Sequence, residues 1–141
     1  MRRENYNNLT QKEMMTVYSK EGALDVSDAA GTDQFLITAP AAGKIDVSEC
    51  IGVMTEATGT MTVDGVISLK VGGNEVGTFT PGDDAAIGYS EAFTPDGTYA
   101  TAANPNVEFS AGDAILVEVG TQATGVTTGD GIVYLAIEFG L

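Results

Sequence analysis

The chain has 141 residues, with 20 Asp and Glu against 6 Lys and Arg, no histidine, no tryptophan and one cysteine. That length suits one domain with its own core, and a hydrophobic content of 43% argues against wholesale disorder. A single cysteine excludes an intrachain disulfide. The lack of histidine excludes His-assisted serine or cysteine catalysis and every His-containing metal site, and a net charge of −14 opposes nucleic acid and anionic membranes.

The charge is unevenly spread. Residues 1–20 carry Arg2, Arg3, Lys12 and Lys20 against Glu4 and Glu13, a net of +2, whereas residues 21–141 carry Lys44 and Lys70 against eighteen acids, a net of −16. The opening MRRENYNNLTQKE has the charge of a signal n-region but no apolar h-region behind it, so no secretion signal is expected. The triplet Asn8-Leu9-Thr10 matches a glycosylation sequon, read as chance without such a signal. No run approaches the ~18 apolar residues of a spanning helix. Two units are therefore expected: an N-terminal arm, residues 1–21, and a body, residues 22–141. The arm's cations Arg2, Arg3, Lys12 and Lys20 are the candidate partner-binding residues, set against the plain reading that the charge only confers solubility.

In the arm, Thr10 and Glu13 match a capping box, which predicts a short helix from Gln11 to about Tyr18. An extended segment ending in a strand at MMTVYS is the equal alternative. From Gly22 onward the period is two. QFLIT (34–38) reads as a strand broken by Ala39-Pro40-Ala41-Ala42-Gly43. KIDVSECIGVMT (44–55) starts with Ile45 and Val47 on one face and slips phase near Glu49, which predicts a bulge or a strand buried on both faces. Cys50, in this apolar stretch, reads as a small buried core residue rather than a reactive thiol. MTV (61–63) and VISLKV (66–71) follow, the latter with Ile67, Leu69 and Val71 inward.

Gly72-Gly73-Asn74 is a tight hairpin signal, returning through EVGTF (75–79) to the Pro81-Gly82-Asp83-Asp84 turn. Residues 85–106 are least regular, with short strands expected at IGYS (87–90) and TYAT (98–101). NVEFSAGD (106–113) reads as a strand and turn, and AILVEV (114–119) sets Ile115, Val117 and Val119 on one face. After the polar loop 120–131, GIVYLAIEF (131–139) sets Val133, Leu135, Ile137 and Phe139 together, with Tyr134 and Glu138 opposite. Eight or nine strands without intervening helices predict an all-β fold, an antiparallel β-sandwich or jelly-roll-like barrel with an N-terminal arm.

Motifs of catalysis are missing: no G-x-S-x-G, P-loop or dinucleotide fingerprint is present. Carboxylates abound, but not beside the aromatic rings that grip sugars, so a glycosidase is disfavoured and no enzyme, cofactor or resident metal is expected. Calcium is the one ion weighed, at Asp83, Asp84 and Asp96 in turn-rich segments, against the plain reading of solvated loop acids.

Two segments carry a resemblance. QFLITAPAAGKIDVSECIGVMTEATG resembles the strand, T-A-P-x-x-G-x-I turn and following strand of many phage virion proteins. FSAGDAILVEVG with GIVYLAIEFGL is similar to the penultimate and last strands of trimeric jelly rolls, where aromatic-x-x-G-D opens one strand and an aromatic-rich strand ends the chain. Over residues 34–71 and 107–141 the chain resembles the capsid decoration (cement, or auxiliary) proteins of tailed bacteriophages. The N-terminal arm matches no motif of that family. The resemblance implies a homotrimer made in the host cytoplasm and placed on the capsid exterior of the virion. Its partners would be itself and the major capsid protein, and it would clamp neighbouring capsomers. A receptor- or carbohydrate-binding β-module of a fibre or spike is the alternative it leaves open.

Overall fold

In a computed structural model, the structure describes residues 15–125 and 129–140. Among them are eleven strands: β1 Met15–Asp25, β2 Asp33–Thr38, β3 Gly43–Asp46, β4 Ile51–Met54, β5 Val66–Val71, β6 Asn74–Phe79, β7 Ser90–Ala92, β8 Thr94–Pro95, β9 Asn106–Phe109, β10 Ala114–Thr121 and β11 Asp130–Phe139. They form two antiparallel sheets, so the fold is the expected β-sandwich.

The first sheet is built around β11. On one side β1 pairs with it from Met15↔Glu138 to Asp25↔Asp130, with a shift between Glu21 and Leu24. On the other side β3 and β4 lie end to end, through Ile45↔Ile137 and Ile51↔Tyr134, and β9 and β7 flank them in turn. The second sheet runs β2-β10-β5-β6-β8.

Alternation decides what each strand buries. The first sheet turns Leu24, Ile45, Met54, Val133, Leu135 and Ile137 inward, and the second turns in Ile67, Leu69, Val76, Phe79, Ile115, Val117 and Val119, all at most 5% exposed. Each such side chain contributes about 1.5–3 kcal/mol on leaving water. Phe93, also buried, stacks obliquely on Phe79 at 5.9 Å between centroids.

The hairpin forms as its sequence predicts. Val71 pairs with Asn74, and the two intervening glycines have φ of 58° and 87°, the left-handed pair that a two-residue turn needs and that side chains resist. The phase slip at Glu49 is a 3-10 turn, Val47–Glu49, between β3 and β4. Asp46 makes it by accepting from the Ser48 amide at 3.0 Å and the Ser48 hydroxyl at 2.7 Å.

Residues 15–21, within the stretch 1–21 set apart by charge, pair with β11 as the first part of β1. Of the two readings for this stretch, the strand is the one present from Met15 onward. Other expectations are corrected. MTV (61–63) contributes an isolated bridge, Val63↔Thr124, rather than a strand. Pairing near 87–90 starts only at Ser90, and TYAT is a turn because Asp96 gathers the amides of Thr98, Tyr99 and Ala100. A side chain that satisfies three successive amides removes the donors a ladder would use.

Candidate functional site

Arg2, Arg3 and Lys12 lie outside the described residues. Lys20 sits in β1 in register with Val133, so its backbone belongs to the sheet rather than to a free arm.

The loop acids weighed for calcium are occupied otherwise. Asp83 accepts from the Met61 amide and Asp84 from the Thr60 hydroxyl, which together tie the 59–61 and 82–84 turns. Asp96 closes its own turn. Burial pulls its carboxyl upward, but the amides of Ala100, Tyr99 and Thr98 outweigh that and hold it below the usual carboxylate range. Among the described residues, no group of three or more Cys, Asp or Glu is placed to hold a metal ion.

Cys50 is fully buried, and its thiol is hydrogen-bonded to the Asp46 carbonyl at 3.2 Å. Burial pushes the thiol up to about 12, with Asp46 and Glu49 adding to it against an opposing amide contact at Ala136. Such a thiol stays protonated and inert at neutral pH.

Four acids meet where β1 ends beside β11. Asp25 and Asp130 are direct cross-strand partners. Burial raises the Asp130 carboxyl, and Asp25, Glu56 and Asp28 raise it further. Asp25 accepts from the Ser27 amide at 2.8 Å and the Ser27 hydroxyl at 2.6 Å.

The feature best suited to recognition is the outer face of the first sheet, the side turned away from the sandwich core. On β11 Ile132, Tyr134 and Glu138 are outward and half-buried, Ala136 shares their side of the strand but is buried, and they alternate with the buried Val133, Leu135 and Ile137. Val53 pairs with Ile132, Ile51 with Tyr134, and Ala92 of β7 with Ile51. Cross-strand partners share a face, so these five side chains form one apolar block, with Ile51 38% exposed at its middle.

Toward the Glu138 end the same face becomes polar. The 3-10 turn lifts the chain off β11 opposite Ala136, and the gap opens a concavity of about 280 Å³ lined by Lys44, Asp46, Glu49, Asn106, Ala136 and Glu138. Lys44 bridges Glu138 at 3.5 Å and is in register with Glu108. Among the described lining residues three carboxylates thus accompany one lysine, and the rim is electronegative. On the second sheet the outward Leu36, 55% exposed, pairs with Leu116 beside the Lys70–Glu118 ion pair, a smaller apolar spot.

Sequence reasoning set Tyr134 and Glu138 on the outward side but did not single out the block. The signal was there: Ile132, Tyr134 and Ala136 put apolar residues on the face where a half-solvated strand carries polar ones. What the sequence could not supply was that β4, whose Ile51 and Val53 complete the block, is the neighbour of β11.

The chain is thus a two-sheet antiparallel sandwich with one outer face that is apolar at one end and acidic at the other. Compared with family models, with curated proteins and with solved structures, it matches none at a significant level.

Proposed function

We propose that this chain is a structural virion protein, a decoration protein that binds the outside of a tailed-phage capsid as an oligomer, a homotrimer by resemblance, and stabilises the shell without catalysis. The observation that carries the reading is the strand order. Counting β3 with β4 and β9 with β7 as single interrupted strands, the sheets read 1-11-3/4-9/7 and 2-10-5-6, with β8 added at the edge. That is the order of a jelly roll, an architecture common in viral capsid domains. It joins the resemblance of residues 34–71 and 107–141 to the strands of virion proteins of this shape.

The physics suits the role. A shell offers many identical sites, so modest affinity per subunit becomes tight attachment when one oligomer engages several capsomers. An acidic body turned to solvent, with a net of −16 over residues 21–141, keeps free copies soluble and repels the packaged polyanion.

The test mixes the purified full chain with expanded capsids of the phage whose genome encodes it. Co-sedimentation with capsids, a rise in their disruption temperature, and a trimer in analytical ultracentrifugation are expected. A monomer that leaves capsids unbound and instead binds glycans on an array would overturn this reading in favour of a receptor-binding module.

A further inference from the structure

We propose that residues 1–14 dock on the outer face of the first sheet of their own chain, with Arg2, Arg3 and Lys12 on the carboxylates of the Asp46–Glu49–Glu138 concavity and the segment's apolar residues on the Ile51–Val53–Ile132–Tyr134 block. This inference does not depend on the capsid reading.

The first argument is where the segment attaches. β1 begins at Met15, whose register partner is Glu138, and Glu138 lines the concavity. The described chain therefore begins at the acidic end of this face. The second is reach. Adjacent strands lie about 4.8 Å apart, so β3 and β4, two positions from β1, are about 10 Å away. Fourteen extended residues span about 46 Å, whereas the stretch of β11 from Ile132 to Glu138 covers about 20 Å. The segment is long enough to turn back and run the length of the face.

The third argument is charge. Arg2, Arg3 and Lys12 are half of the six cations in the chain, and among the described residues the concavity is lined by Asp46, Glu49 and Glu138 against Lys44. Glu49 is exposed and has no hydrogen-bond or ion-pair partner among the described residues. The same charge disfavours the body of a second copy as occupant. Residues 21–141 carry −16, and two such faces brought together would oppose carboxylate to carboxylate. The segment also offers Tyr6 and Leu9 to an apolar block in which Ile51 is 38% exposed and Val53, Ile132 and Tyr134 are half-buried. Tethering makes a weak contact sufficient, because the covalent link sets an effective concentration in the millimolar range.

The experiment uses the full chain, uniformly labelled with 15N, beside the same chain carrying Arg2→Glu, Arg3→Glu and Lys12→Glu. The amide shifts that differ should map to residues 44–53 and 131–138 as well as to the segment, and ~0.5 M salt should move the parent spectrum toward the variant. Glu49→Lys alone, an exposed change, should reproduce the shift changes of the segment. Zero-length carbodiimide crosslinking of an equal mixture of 14N and 15N chains should join Lys12 to Asp46, Glu49 or Glu138 within one isotope only. Differences confined to residues 1–14, or mapping to the second sheet, would overturn the proposal. So would mixed-isotope crosslinks, which would assign the face to a neighbour's segment.

Discussion

Gly52 lies on β4 directly beneath Phe79, and the two residues set how closely the sheets approach. A Cβ at Gly52 would stand 2.4, 2.5 and 2.7 Å from three carbons of the Phe79 ring. Ordinary carbon contacts are about 3.5–4.0 Å, so Gly52→Ala requires a ring shift of roughly 1 Å. The ring has little freedom to make it. It is 1% exposed and packed at 5.9 Å from Phe93 and 6.4 Å from Tyr89, centroid to centroid. Overpacking of this kind costs about 1–3 kcal/mol, and the hemmed ring puts Gly52→Ala in the upper half of that range. Phe79→Ala removes a buried ring at about 3–5 kcal/mol, within the ~5–15 kcal/mol stability of an ordinary domain. In the double variant the new methyl enters space the ring has left. The clash vanishes, and the pair should be less destabilised than the sum by about 1–3 kcal/mol. Urea unfolding of the four proteins, followed by circular dichroism, measures the coupling. Additivity within about 0.5 kcal/mol would refute the claim that Gly52 is small because of Phe79.

Three further outcomes follow from the same structure. Cys50 holds its proton in the folded state up to about 12 and releases it near the ordinary thiol range when unfolded. Its contribution is therefore whole below the unfolded value and is lost as pH rises above it, at about 1.4 kcal/mol per pH unit. Cys50→Ala should flatten the decline between pH 9 and 10 in urea titrations, and parallel slopes would contradict the burial argument. Asp130, raised by burial and by Asp25, Glu56 and Asp28, adds stability below its unfolded value that disappears as pH climbs through its folded one. Asp130→Asn should be the more stable form at pH 7, by about 0.2–1 kcal/mol for a relieved like-charge cross-strand pair. Its advantage over the parent should close near pH 3, and melting curves at the two pH values decide it. Asp96→Ala strips acceptors from the amides of Thr98, Tyr99 and Ala100. It should cost about 1–2 kcal/mol at neutral pH, with hydrogen exchange speeding up at those three amides ahead of the sheets. Unchanged exchange there would mean the turn is held by something else.

Much of the fold is legible along the chain, and for identifiable reasons. VISLKV, AILVEV and GIVYLAIEF alternate cleanly, and their inward residues are the buried ones, because a strand with one face in a core must keep a period of two. The Gly72-Gly73 hairpin is equally readable, since a two-residue turn of positive φ leaves few residue choices. The candidate face is half legible. Outward Ile132 and Tyr134 are visible as misplaced apolar residues, but the concavity beside them exists only because Asp46 bends the chain into a turn opposite Ala136. TYAT failed as a strand because its β-prone residues yield to side-chain capping by Asp96, and most of IGYS is taken up by a turn in which the Tyr89 amide donates to the Ala86 carbonyl.

The amino-acid sequence settles the class: no histidine, many glycines, short alternating apolar runs and an acidic body lead to an antiparallel β protein, since these are properties of local conformation and of residue chemistry. Pairing is another matter. That β11, near the end of the chain, lies between β1 and the interrupted β3–β4 strand is fixed by contacts across more than a hundred residues for the first and roughly eighty to ninety-five for the second. Alternation states which face of a strand is buried but not which strand lies beside it. The apolar block and its acidic rim are products of that adjacency, so they emerge only when the sheets close on one another.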